Sequence, residues 1–149
     1  MPKPVEQKPA YELKGGHMAV SGIQRRVPAC ADRLSVLRQA VAAFAVDECA
    51  NAAEIHDQLV LAVSEACTNV ILHAYPDRTG EIALRAWVDR RYLRVEIRDE
   101  GVGIDTPSPN KGLGLGLQLM RTTAQARVDS GAGTTVQLRF PREPRSAAN

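Results

Sequence analysis

The chain has 149 residues, 44% hydrophobic and 24% charged, with a formal net charge of +2, which describes one globular domain large enough to need no disulfide or metal staple. Residues 23–140 hold 14 basic and 14 acidic side chains, a balance that argues against a nucleic-acid binder, which would need a basic face. No apolar run approaches the roughly 18 residues of a membrane span and no secretory signal is present, so the expected location is the cytoplasm.

Residues 1–18 contain Pro, Lys, Glu and Gly without periodicity and read as a flexible arm. Within it Gly15-Gly16-His17-Met18 looks like a cloning remnant ahead of a start at Met18. The domain proper is expected over 19–140. Val20, Ile23 and Val27 mark a strand over 19–27, and Pro28 suits the first turn of a helix. From Ala31 to about Ala45, Leu34, Leu37, Val41 and Phe44 recur at helical spacing. Asn51 followed by Glu54 has the form of a capping box, so a second helix is predicted from Ala52 to about Ala74, where Pro76 stops it.

Segments 81–88 and 92–98 alternate apolar and polar at period two and predict adjacent antiparallel strands around Asp89-Arg90-Arg91. A Gly- and Pro-rich loop over 99–116 leads to a third helix over about 115–126. Two strands, 126–130 and 134–140, close the domain around Gly131-Ala132-Gly133, and 141–149 reads as a frayed tail. This order is not alternating βαβ. It predicts an α+β two-layer sandwich, a mixed, mainly antiparallel sheet with helices packed on one face.

Three segments carry candidate chemistry. On the second helix, Ile55, Leu59, Ala62, Val63, Ala66 and Val70 form one apolar stripe, with Asn69 at its edge and Glu65 one step further round. Their i, i+4 spacing projects both from one side of the helix. Asp99-Glu100-Gly101-Val102-Gly103 follows a strand, and a carboxylate there accepts hydrogen bonds but cannot donate, which suits an exocyclic amine such as adenine's. Gly112-Leu113-Gly114-Leu115-Gly116 precedes a helix, where free N–H groups and the positive dipole end favour phosphate. Each alone also fits a plain structural reading: a helix flank, a turn, a hinge. The spacing is neither the dinucleotide fingerprint nor a P-loop, and no G-x-S-x-G surrounds Ser64. Cys30, Cys49 and Cys67 form no C-x-x-C and read as small, reduced, mostly buried residues.

Taken in order, the three segments resemble a known family. Glu65-Ala66-Cys67-Thr68-Asn69 with His73-Ala74-Tyr75 resembles the N-box of the GHKL ATPase superfamily, which includes gyrase and histidine kinases. Asp99-x-Gly101-x-Gly103 resembles its first glycine box, and the run from Gly112 to Met120 its second. The wording SEACTN…HAY is similar to bacterial anti-sigma factors that are also serine-protein kinases.

The resemblance covers about residues 20–140 and implies a histidine-kinase-like ATPase fold and ATP with Mg2+ as cofactors. It implies Glu65 as general base and Asn69 as magnesium ligand. Asp99 would bind the adenine amine, with Gly101 and Gly103 letting the chain pass close to the base. Gly112, Gly114 and Gly116 would form the lid over the phosphates, with Lys111 as its basic residue near the γ-phosphate. His73 would pack beside the nucleotide and Thr135 near the adenine.

The implied activity is phosphorylation of a serine on a STAS-domain anti-sigma-factor antagonist, together with sequestration of a sigma factor. The implied partners are those two proteins and a second copy in a homodimer, with no nucleic acid and no membrane. Arg25, Arg26 and Arg33, before and at the start of the first helix, are candidates for holding an acidic partner. The alternative is an ATP-binding switch module that acts by partner binding without phosphotransfer.

Overall fold

The computed structural model describes residues 10–12, 19–102, 125–131 and 133–146. Six strands form one sheet: β1 (Ala10–Glu12), β2 (Ala19–Pro28), β3 (Glu81–Val88), β4 (Tyr92–Asp99), β5 (Gln125–Gly131) and β6 (Gly133–Pro141). Their order is β1-β2-β3-β4-β6-β5. Every pairing is antiparallel, so no parallel pair occurs among the described residues. Two helices, α1 (Leu34–Glu48) and α2 (Ala52–Asn69), cover one face, α1 over β2 and β3, α2 over β4 and β6. This is the α+β two-layer sandwich that the order of elements predicts.

The alternation decides which face is covered. Ile82, Leu84, Ala86 and Val88 of β3 are buried, as are Leu93, Val95 and Ile97 of β4 and Val136, Leu138 and Phe140 of β6. The register brings them into rows across the sheet, such as Ile23–Ala86–Val95–Leu138. Against these rows lie Leu37, Val41 and Phe44 of α1 and Ile55, Leu59, Ala62, Val63 and Ala66 of α2. Each fully buried large side chain stabilises the fold by about 1.5–3 kcal/mol. Cys49 and Cys67 are buried and reduced, and burial pushes the Cys67 thiol up to about 12, so it stays protonated and inert.

The opposite face is polar. There Arg85 binds Glu96 at 2.7 Å, and Arg94 and Arg139 lie 5.4 and 4.7 Å from the Tyr92 ring centroid. Arg25 pairs with Leu84 and Arg26 with Ala83, so the two arginines face opposite sides of the sheet and form no single cluster.

Several sequence expectations are corrected. Pro28 ends β2 instead of opening a helix, and a 3-10 turn, Ala31–Arg33, precedes α1. Within the arm expected to be flexible, Ala10–Glu12 pairs with 19–21 as the sheet's edge strand. The third helix lies outside the described residues, except that Gln125 and Ala126 belong to β5.

The capping box does not form, because Asn51 makes no side-chain bond to its own helix. Its Nδ2 donates to the Pro141 carbonyl at 2.9 Å and its Oδ1 accepts from the Glu143 N–H at 2.8 Å. Residues 141–146, expected as a frayed tail, are therefore strapped to the turn between the helices. Arg142 donates to the carbonyls of Glu48 and Asp89, Arg145 to that of Val46, and Cys49 bridges to Pro144. The arginines serve carbonyls in the last turn of α1 that have no partner within the helix. Replacing the buried Asn51 by Ala should cost about 1–3 kcal/mol, since two backbone groups of the strap lose their partners. Urea unfolding measures it, and an unchanged midpoint would refute the strap's role in stability.

Candidate functional site

The candidate site lies at the end of the sheet opposite the strap. There α2 passes directly into a π-helical turn, Val70–Ala74, a rare widening that is often found at functional sites. Glu65 and Asn69 are half-buried on the flank of α2, beside the stripe that ends in Ala66 and Val70. His73 is exposed on the π-turn.

The end of this turn grips the loop after β4. The Val102 N–H donates to the Ala74 carbonyl at 2.9 Å. At Gly101 the loop comes so close that an added Cβ would lie 2.1 Å from the Ala74 oxygen, so this position requires glycine. The helix bearing Glu65 and Asn69 and the strand bearing Asp99 thus meet through backbone contacts, and the structure brings these elements to one end of the fold.

Asp99 is the buried charge of this end. It is the last inward-facing residue of β4, in line with Leu93, Val95 and Ile97, and only 4% exposed. Its Oδ1 accepts the N–H of Gly101 at 2.9 Å and of Thr134 at 3.3 Å. Its Oδ2 has no hydrogen-bond partner among the described residues. Burial pushes the carboxyl above the ordinary carboxylate range, and the two N–H donors pull it partly back. A buried acceptor at the edge of an apolar layer is stabilised by each donor that reaches it, and Asp99 can accept one from a bound molecule as well as from the backbone.

The register separates two neighbouring threonines. Thr135 pairs with Arg98 and lies on the polar face, away from the helices. Thr134 pairs with Asp99, donates to it, and shares its face. Extending the alternation back from the buried Val136 by one step of two puts Thr134 on the face of Asp99. Gly103, Lys111, Gly112, Gly114 and Gly116 lie outside the described residues.

Among the described residues no group of three or more His, Cys, Asp or Glu is placed to hold a metal ion, and no helix is long and apolar enough to cross a membrane. A cavity of about 190 Å³ is lined by Asp99 and Glu100 together with Tyr75, Arg26, Arg78 and Arg98, and neither Glu65 nor Asn69 lines it.

Comparison with known proteins agrees with this geometry. The family model described as a histidine kinase-like ATPase domain matches residues 27–140. An anti-sigma F factor of Clostridium acetobutylicum is 41% identical over 71 residues, 48% of this chain and 49% of that protein. A serine-protein kinase RsbW of Bacillus thuringiensis is 32% identical over 83 residues, 56% of this chain and 51% of that protein. The chain thus spans about half the length of the curated relatives it matches. The solved RsbU and RsbW domains of Rv1364c from Mycobacterium tuberculosis superpose with a TM-score of 0.61 at 19% identity, covering 88% of this chain and 35% of that one, a likeness of fold.

Proposed function

Because the chain belongs to the histidine kinase-like ATPase domain family, matched over residues 27–140, we propose that it binds Mg-ATP and phosphorylates a protein serine. The single observation that carries the nucleotide reading is the buried Asp99 carboxylate, fixed through Oδ1 by two backbone N–H groups. Its remaining oxygen would accept from the exocyclic amine of adenine. Thr134 replaces Thr135 as the threonine beside the base. The proposed target is a STAS-domain antagonist of an anti-sigma factor, and the proposed sequestered partner is a sigma factor. A relative named anti-sigma F factor supports the sigma-factor partner, and one named serine-protein kinase supports a serine as the target.

The residues present fit a magnesium ion. Asn69 offers a neutral hard oxygen at the edge of the apolar stripe, with Glu65 one turn away, and magnesium takes few protein ligands because it keeps its waters and binds phosphates. Once bound it would neutralise phosphate charge. Glu65 takes the proton of the target serine hydroxyl, and the serine oxygen then attacks the γ-phosphorus as ADP leaves. Such transfer asks little of a protein beyond positioning and charge. Gly103, Lys111, Gly112, Gly114 and Gly116 remain the proposed contacts to base and phosphates, and His73 a proposed neighbour of the nucleotide.

Incubation with labelled ATP, magnesium and a STAS domain, followed by mapping of phosphoserine, tests the activity. Calorimetry tests the site. Asn69→Ala should abolish the gain in ATP affinity that magnesium brings while leaving the melting temperature nearly unchanged. An unaltered magnesium dependence removes Asn69 from the metal site.

A further inference from the structure

Tyr75 stands between the two halves of the site. Its hydroxyl donates to the Glu81 carbonyl at 2.8 Å and accepts the Glu100 N–H at 3.0 Å. The first bond ties it to the start of β3, and the second to the peptide that joins Asp99 to Glu100. The ring fills the space beside Gly80, where a Cβ would lie 2.1 Å from Tyr75 Cε1, and the Gly80 carbonyl in turn accepts the N–H of Ala29, the residue after β2, at 2.9 Å. Arg78 lies 5.4 Å from the centroid of the same ring and donates to the Glu100 carbonyl at 2.6 Å. Both sides of Glu100 are therefore held by residues just beyond the π-turn, while Val102 is held by Ala74.

We propose that Tyr75, seconded by Arg78, is a positioning residue for Asp99: its hydroxyl fixes the Asp99–Glu100 peptide, and so the direction in which the carboxylate presents its open oxygen to a purine amine. A phenol serves here because one oxygen can donate to one strand end and accept from the next. Phenylalanine would keep the ring against Gly80 and lose only this bridge. The inference rests on the reading of Asp99 as the adenine contact.

The test compares Tyr75→Phe with the unaltered protein, using ATP and purine riboside triphosphate, which differs from ATP only in lacking the amine. The unaltered chain should prefer ATP. Tyr75→Phe should lower ATP affinity about fivefold or more, the usual worth of one hydrogen bond, and leave the amine-less nucleotide unchanged. Amide exchange at Glu100 should quicken in the same variant. Arg78→Gln, which removes a side-chain bond at the surface, should shift both readouts in the same direction and decides the matter if Tyr75→Phe fails to fold. A preference for ATP that survives Tyr75→Phe, with or without faster exchange at Glu100, overturns the positioning role alone. No preference in the unaltered chain overturns the adenine reading beneath it.

Discussion

Glu65→Gln should bind Mg-ATP almost normally and transfer phosphate at least about 10²-fold more slowly, the usual worth of a general base. Glutamine keeps the length and polarity of the side chain on the flank of α2, where Glu65 is half-buried. It lacks the carboxylate proposed above to take the serine proton. The apolar stripe of Ile55, Leu59, Ala62, Val63 and Ala66 is untouched, so the fold should persist. Single-turnover transfer to a STAS domain, with ATP affinity measured on the same sample, separates the two effects. Normal turnover in the variant would reduce Glu65 to a structural or metal-shell residue.

Asp99→Asn should weaken ATP binding by about 1–3 kcal/mol and leave the fold intact. Asparagine retains an oxygen for the Gly101 and Thr134 N–H groups, but its amide would set a donor against the donor of adenine. The stability effect has a sign that depends on pH. Folding raises the Asp99 carboxyl above its ordinary value because burial disfavours the charge. The folded state therefore binds its proton more tightly, and the associated stability is present below the ordinary carboxylate range and lost as pH rises through the raised value. Asparagine carries no such charge. The variant should gain on the parent protein in unfolding experiments as pH rises through that window, while binding ATP more weakly at neutral pH. A variant that loses stability relative to the parent as pH rises would contradict this account of the carboxylate.

The sheet and the helical layer were legible because one face of each element is buried. Period two in 81–88 and 92–98 and the stripe from Ile55 to Val70 leave one way to bury those side chains. The Asp99 end was legible as spacing, since a carboxylate two residues before a glycine at a strand end is a local signal. What could not be read was set by distant partners. Asn51 has the residue type and the spacing of a cap, yet its bonds go to Pro141 and Glu143, more than 90 residues away in sequence for the latter. Arg142 and Arg145 look like tail residues until the exposed carbonyls of α1 are beside them. The three residues of β1 are too few to show a period, and only pairing with 19–21 defines them. Thr134 and Thr135 are chemically identical neighbours, and the strand's phase alone separates them.

The helical layer is fastened to the sheet at both ends. At one end the strap binds α1 and the turn before α2 to the segment leaving β6. At the other the Ala74 carbonyl takes the Val102 N–H, just past β4. Sliding α1 and α2 across the sheet would break backbone hydrogen bonds at opposite poles at once, the Val102–Ala74 bond at one and the Ala50–Glu143 bond at the other, so the two ends lock the helical layer in register with the strands.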